Sequence, residues 1–510
     1  MGSNAVSQSA ISRIVGWIFA KGNFSTVSPN LPQSVNILSE GNEANQATMP
    51  TQGTLITSAQ QAGQLYGYGS PIYSILRIIL PLQGGGLQGI PINVFACAKA
   101  VGSTSKKIQI TPTGVATANG VHILKISGRE GLDAQFYSLN IKTGDSTAEI
   151  TAYIADAVNN VLGAPCTASD TSYEATLESK WKGKTADELN VGVDTGNSNL
   201  GITYSVTSIQ NGSGTPSIAG ALAQFGSAWN TIVVNGFGTD STTMAALESF
   251  NGIPDPTNPT GRYTGIIMKP FVALTGSTLD DPSTITNSGT HPNNVTIAIC
   301  PAPGSLGFSF EAAANVCALY ANQAQNSPQL DIAGQSYPDM PTPTQQNWAS
   351  ASMSSWNGRQ AICIAGSSTV DLITGAYVMQ DFITTYHPVG ENPPVYRYVR
   401  DINIMWNIRF DYYLQEQLNV IGHVIAGNND IVTASNVVTP KDWKGILFSR
   451  ATQWVANGWI TDASFTQASI VVTLNPTNQN RIDTTFNVKL SGFARITATT
   501  ATVGFNFGTV

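Results

Sequence analysis

At 510 residues, 42% of them hydrophobic, the chain exceeds what one ordinary core organises, and two to four domains are expected. Only 11% of the residues are charged, against about 25% in an average globular protein; disordered chains combine low hydrophobicity with high charge, so disorder is excluded. The net charge of −7, with no basic run longer than Lys106-Lys107, excludes a nucleic-acid surface, which needs clustered cations to displace counterions.

The N-terminal apolar run 14–20 is far too short to span a membrane. It follows a polar leader with a single Arg13 and precedes no small-residue cleavage site, so neither a span nor a signal peptide is expected there. Val15, Trp17 and Phe19 share one face of a period-two pattern and predict a strand. A second strand is expected at 35–38. Ser58, with Gln61 three residues on, predicts a capped helix over 58–67. Another helix should run over 71–80 and stop at Pro81 and Gly84-Gly85-Gly86, before a buried strand at 92–98.

From about Gly102 the character changes. Short β segments recur at 107–111, 121–127, 136–142, 173–180 and 201–207. One helix interrupts them: Ser146-Thr-Ala-Glu149 is a capping box, and Ile150, Ile154 and Val158 form its apolar stripe. Next, strand-like runs at 231–234, 263–268 and 295–300 alternate with helical segments at 242–250 and 310–325, the spacing of βαβ units. A further strand is expected at 361–365. Strands on both sides of the β-rich block suggest that the block is inserted into an α/β domain. Beyond Pro388 a long helix over 399–420 carries Arg400, Asp401, Arg409, Asp411 and Glu416, a second follows over 442–457, and strands at 469–474, 485–490 and from Phe493 onward close the chain.

The end of the chain is the most informative part. No charged residue follows Arg495, and Val503, Phe505 and Phe507 share a face. Neutral, β-prone ends aggregate unless they are paired or covered. Either this segment pairs within its own subunit or it is donated to a neighbour's sheet edge. The stretch 195–239 also lacks Asp, Glu, Lys and Arg, and reads as a linker or an inter-subunit contact.

Catalytic signals are weak. His122, His291, His387 and His423 show no metal-ligand spacing, the Gly84–Gly89 run lacks the Lys-Ser/Thr of a phosphate loop, and Gly366-Ser367-Ser368 is not a G-x-S-x-G turn. The five cysteines (97, 166, 300, 317, 363) are odd in number and scattered, and imply no disulfide framework. No enzyme activity, cofactor or metal is expected.

Several segments together resemble the tail sheath proteins of contractile-tailed bacteriophages. They are Ala10-Ile-Ser-Arg-Ile-Val-Gly16, Pro32-Gln-Ser-Val-Asn-Ile-Leu-Ser-Glu-Gly-Asn-Glu43, Thr57-Ser-Ala-Gln-Gln-Ala-Gly63 with Tyr66-Gly-Tyr-Gly-Ser-Pro71, Ile299-Cys-Pro-Ala-Pro-Gly-Ser305 and Arg397-Tyr-Val-Arg400. The resemblance implies an α/β plus β multidomain fold. An N-terminal arm (1–30) would precede a discontinuous α/β domain (31–100 and 206–387) similar to the subtilisin fold without its catalytic residues. A β-sandwich-like outer domain (101–205) would be inserted into it, followed by an α+β tube-facing domain (388–495) and a C-terminal arm (496–510). It implies a homo-oligomer of hexameric rings stacked as a helix around a tail tube protein, with baseplate and tail terminator proteins as further partners and neither nucleic acid nor membrane insertion. The site would be a virion tail assembled in the host cytoplasm. Strand exchange would use Val15, Trp17 and Phe19 with Val503, Phe505 and Phe507, and tube contact would use Arg409, Asp411 and Glu416. A tail-like injection particle, or a secreted surface-layer or adhesin protein, is the alternative.

Overall fold

The structure, a computed structural model, describes residues 29–87, 89–265, 267–286, 294–388, 395–431 and 433–503. They form a mixed α/β, multidomain chain with several separate sheets. Two compact units are distinguished: a large one of Pro32–Asn407 with the segment from Leu490 onward, and a smaller one of Ile408–Lys489.

The large unit begins with β1 (Val35–Ser39), β2 (Thr54–Leu55), α1 (Ala59–Tyr66), α2 (Pro71–Ile79) and β3 (Ile92–Ala96). All five residues of β1 are buried, as expected of a central parallel strand covered on both faces. Asn36, a polar residue in that run, donates Nδ2 to the carbonyls of Ile232 (3.2 Å) and Ser34 (3.1 Å), while its buried Oδ1 accepts no hydrogen bond from the described residues. The two helices start where local chemistry directs. The Ser58 hydroxyl accepts from the Gln61 amide at 3.2 Å, and Ser70 accepts from Tyr73 at 3.1 Å with Pro71 opening the helix.

Between β3 and the next core strand, the chain builds β4 (Lys107–Gly114), β5 (Gly120–Ile126), β6 (Ser138–Ile141), α3 (Thr147–Asn159), β7 (Cys166–Asp170), β8 (Ala175–Ser179), β9 (Val191–Asp194) and β10 (Ile202–Gln210). They pair as two antiparallel sheets, ordered β10-β4-β8-β7 and β9-β5-β6. Helix α3 has the predicted capping box at Ser146 and Glu149 and packs Ile150, Ile154 and Val158, all fully buried, toward these strands. Residues 211–218 then return the chain to the core.

There β11 (Ile232–Asn235), α4 (Ser241–Asn251), β12 (Val272–Ser277), β13 (Ile297–Pro301) and α5 (Ser309–Asn326) complete a sheet of order β13-β12-β11-β1-β3-β2, parallel except for β2. Helix α5 passes so close to β12 that a Cβ at Gly276 would stand 1.7 Å from the Ser309 carbonyl oxygen, so only glycine fits there. The inserted block is tied to this core by ion pairs, of which Glu311 is the deeply buried member and Asp339 the most exposed one. Arg129 donates to Glu311 at 2.8 Å and pairs with Asp339 at 3.3 Å, and Arg77 meets Asp339 at 2.7 Å. Burial opposes ionisation of Asp339, but Arg129 and Arg77 prevail and hold its carboxyl below the ordinary range.

Three predicted strands are corrected. At its described residues the apolar run at 263–268 is not strand, because the Arg262 guanidinium gathers the carbonyls of Lys269, Gly226 and Ala228; the strand is β12, which begins two residues after Pro270. The run at 361–365 belongs to helix α6 (Trp356–Ile364), whose start is fixed by the Ser355 hydroxyl accepting from Gly358 at 3.1 Å. From Phe493 to Val503 there is no strand. All five cysteines are unpaired, four of them buried.

Candidate assembly interface

The smaller unit contains the feature best suited to contact with another chain. Helix α7 (Val399–Asn419) enters it at Ile408, and α8 (Pro440–Ala456) is started by the capping box of Thr439 and Asp442. Between them lies a core of Val438, Trp443, Leu447 and Ile470, with Tyr412, Val420, Val472 and Ile482 packed against it. Tyr412 meets Trp443 edge-on at 5.4 Å between ring centres and stacks on Phe486 at 5.8 Å. Asp411 is 0% exposed. Its two oxygens accept from Arg450 Nε and Nη2, both at 2.9 Å, and one also accepts from Trp454 Nε1 at 2.6 Å. Asp411 therefore does not reach a tube: it joins α7 to α8 inside the core, and a carboxylate with three N–H donors has no remaining surface to offer.

On this core lies a two-stranded sheet, β14 (Val471–Leu474) with β15 (Ile482–Thr485). The register sets Val472 opposite Thr484 and Leu474 opposite Ile482, which places these four on one face. That face is turned inward: Val472 and Ile482 join the core, and Trp443 Nε1 donates to the Thr484 hydroxyl at 3.2 Å. The Asn475 side chain fixes the connecting turn, accepting from the amides of Thr477 (3.1 Å) and Asn478 (3.0 Å) and donating to Asp483 at 2.7 Å. Among the described residues no further strand pairs with either outer edge. Strand β14 carries no charge, proline or bulge, the usual devices that protect an edge, and Val471 is 53% exposed.

The C-terminal segment, described with the large unit, has a well-marked last anchor. Arg400 donates to the Ser491 carbonyl and hydroxyl, both at 2.9 Å, and its guanidinium lies 5.4 Å from the Phe493 ring. Arg495 pairs with Asp331, donates to Asp381 at 2.7 Å and lies over the Tyr398 ring at 4.4 Å. Every residue from Ile496 (88% exposed) to Val503 (92%) is exposed and free of regular structure. The last charge of the sequence is thus the last tether of the described chain.

Of the predicted exchange residues, Val503 is exposed, whereas Val15, Trp17, Phe19, Phe505 and Phe507 lie outside the described residues. Arg409 is half-buried with its guanidinium 5.4 Å from the Tyr413 ring, and Glu416 is half-buried one further turn along the same face of α7. The hydrophobic core beneath β14 and β15, and the role of Asp411, carried no local signal in the sequence. Ser367 and Ser368 are buried, and the Ser368 hydroxyl donates to the Ile383 carbonyl and accepts its amide, both at 3.1 Å. Among the described residues no cluster of His, Cys, Asp and Glu could hold a metal, and no helix is long and apolar enough to cross a membrane.

Among solved structures, the chain is similar to a sheath tail protein from Desulfitobacterium hafniense, at 12% identity and a TM-score of 0.41 over 92% of this chain and 100% of that one. It is also similar to the D2-D3 domains of the flagellar cap protein FliD from Escherichia coli, at 19% identity and a TM-score of 0.13 over 24% of this chain and 80% of that one. No family model matches the chain, and no curated protein is similar to it. Likenesses at this level fix neither fold nor function.

Proposed function

We propose that the chain is the sheath subunit of a contractile phage tail, a structural protein that polymerises with copies of itself around a tube. The observation that carries this reading is a two-stranded sheet whose β14 edge is open and uncharged, in a chain whose last eight described residues are uncharged and exposed beyond Arg495. An isolated strand pair is marginal in water. Strands added by neighbours would complete the sheet and satisfy its edge N–H and C=O groups. The residues for this exchange are Val15, Trp17 and Phe19 from one end and Val503, Phe505 and Phe507 from the other, received by β14 and β15.

The large unit would supply a subtilisin-like middle domain with its β-sandwich-like insert outermost. The unit containing α7 would face the tube, with Arg409 and Glu416 as contacts. Head-to-tail contacts that do not close generate helical arrays. Subunits linked by donated strands can slide and rotate without separating, so the array can shorten while remaining whole. A release of roughly 1–2 kcal/mol per subunit, small beside a domain stability of about 5–15 kcal/mol, becomes large when summed over the array and would drive the tube through a cell envelope.

Negative-stain microscopy of the purified full chain and of a variant ending at Arg495 tests the proposal. Long striated tubes are expected from the full chain and soluble, folded, unassembled particles from the truncated one. Monodisperse particles from the full chain, or normal tubes from the truncated one, would refute it.

A further inference from the structure

The carboxyl of Glu40 stands where the inserted block closes on the central sheet. Glu40 directly follows β1, which is flanked on both sides by other strands, and the residue is 1% exposed. Neither of its carboxylate oxygens has a hydrogen bond of good geometry. The insert comes down onto it as the turn Lys184–Glu188, preceded by Gly183. A Cβ at Gly183 would lie 2.7 Å from Glu40 Oε1, so the glycine leaves room for the carboxyl. The turn is held by backbone bonds from Gly183 to the Thr104 carbonyl (3.1 Å) and from Lys184 to that of Gly214 (2.7 Å), and the Glu43 amide donates to the Lys180 carbonyl at 2.8 Å.

The surrounding charges leave Glu40 without a counter-ion. Lys99 and Lys182 both pair with Glu43, Lys106 with Asp187 at 2.9 Å, Lys184 with Asp240 at 3.7 Å, and Arg129 with Glu311. The groups facing Glu40 are the Glu43 carboxylate from its own loop, the Cys97 thiol after β3, and the Thr185 hydroxyl of the turn. The thiol and the hydroxyl are neutral, and the carboxylate repels a charge on Glu40. On the far side of the turn, Glu188 accepts from the Ser309 amide (2.6 Å) and hydroxyl (2.7 Å) at the start of α5.

We propose that Glu40 is a proton-operated latch between insert and core: neutral, it lets the turn Lys184–Glu188 close over the sheet, and ionised, it drives the turn away. Burial is the main reason its proton is held well above the ordinary carboxyl range, with Glu43 adding to the shift and Thr185 opposing it. The native form then binds a proton that the unfolded chain has released. Stability from this group is complete below about pH 4.5 and is lost as pH rises toward the folded-state value. Burial likewise pushes Glu188 up to about 7, so its contribution fades between those two values.

Hydrogen exchange of the full chain, corrected for intrinsic rates and followed from pH 4.5 up to about pH 9, tests the latch. In a Glu188→Gln background, which removes the second titrating carboxyl, protection of the amides at 183–188 should fall at least about tenfold, the equivalent of one unit of pKa, and less than about threefold when Glu40→Gln is added. An unchanged Glu188→Gln chain, or a double variant that loses protection like it, overturns the latch. If Glu40→Gln does not fold, infrared titration of Glu188→Gln decides. A protonated glutamic carboxyl band persisting well above pH 4.5 supports the latch, and its absence removes it.

Discussion

Asp411 and Arg450 show how much one residue's partners change its meaning. In the sequence, Asp411 is one of several charges on a long helix and reads as surface. Its partners come from 39 and 43 residues away, a separation that no local pattern conveys. Losing one member of a buried, bidentate pair leaves a desolvated charge, so Asp411→Ala and Arg450→Ala should each destabilise the protein by about 3–5 kcal/mol. Urea denaturation followed by tryptophan fluorescence measures this, and a loss below about 1 kcal/mol would remove Asp411 from the core's framework. Signals confined to three or four residues were legible. Ser58 and Ser146 begin their helices because their hydroxyls accept amides one turn ahead, whatever the tertiary context.

Among elements, legibility followed periodicity and failed where polar anchors outweighed apolar runs. Helices α3, α5 and α7 lie within a few residues of their expected bounds: α3 keeps one buried stripe, whereas α5 and the first half of α7 are buried on most sides. Short apolar runs were ambiguous: Arg262 turned one into a loop and Ser355 turned another into a helix. The open pair β14–β15 makes its own prediction. Val471 points away from the core, so Val471→Lys should leave subunit stability within about 0.5 kcal/mol while placing a desolvated charge on the edge that would receive a donated strand. Analytical ultracentrifugation should then find folded subunits and no polymer. Wild-type polymerisation by this variant would exclude β14 as an acceptor.

For the whole molecule, the low charge content was the property most visible in the sequence, and the arrangement of the few charges was the least. Some of them gather where the insert meets the core, around Arg77, Arg129, Glu311 and Asp339, and others at the last tether, Arg495. A chain with only 11% charged residues would suit the proposed dense array, because weak charge repulsion favours association. If α7 faces a tube, Arg409→Glu should weaken assembly around purified tubes more than self-assembly without them, as measured by co-sedimentation at two salt concentrations. Equal effects would place Arg409 elsewhere.

On the proposed reading each copy is completed by strands from other copies. Electron cryo-microscopy of the assembled polymer, at a resolution that traces the main chain, reads this directly. The segment after Arg495 should lie as a strand against β14 or β15 of an adjacent subunit. Density that returns it to its own subunit's sheet, or leaves those edges bare in an intact polymer, would exclude strand exchange between copies.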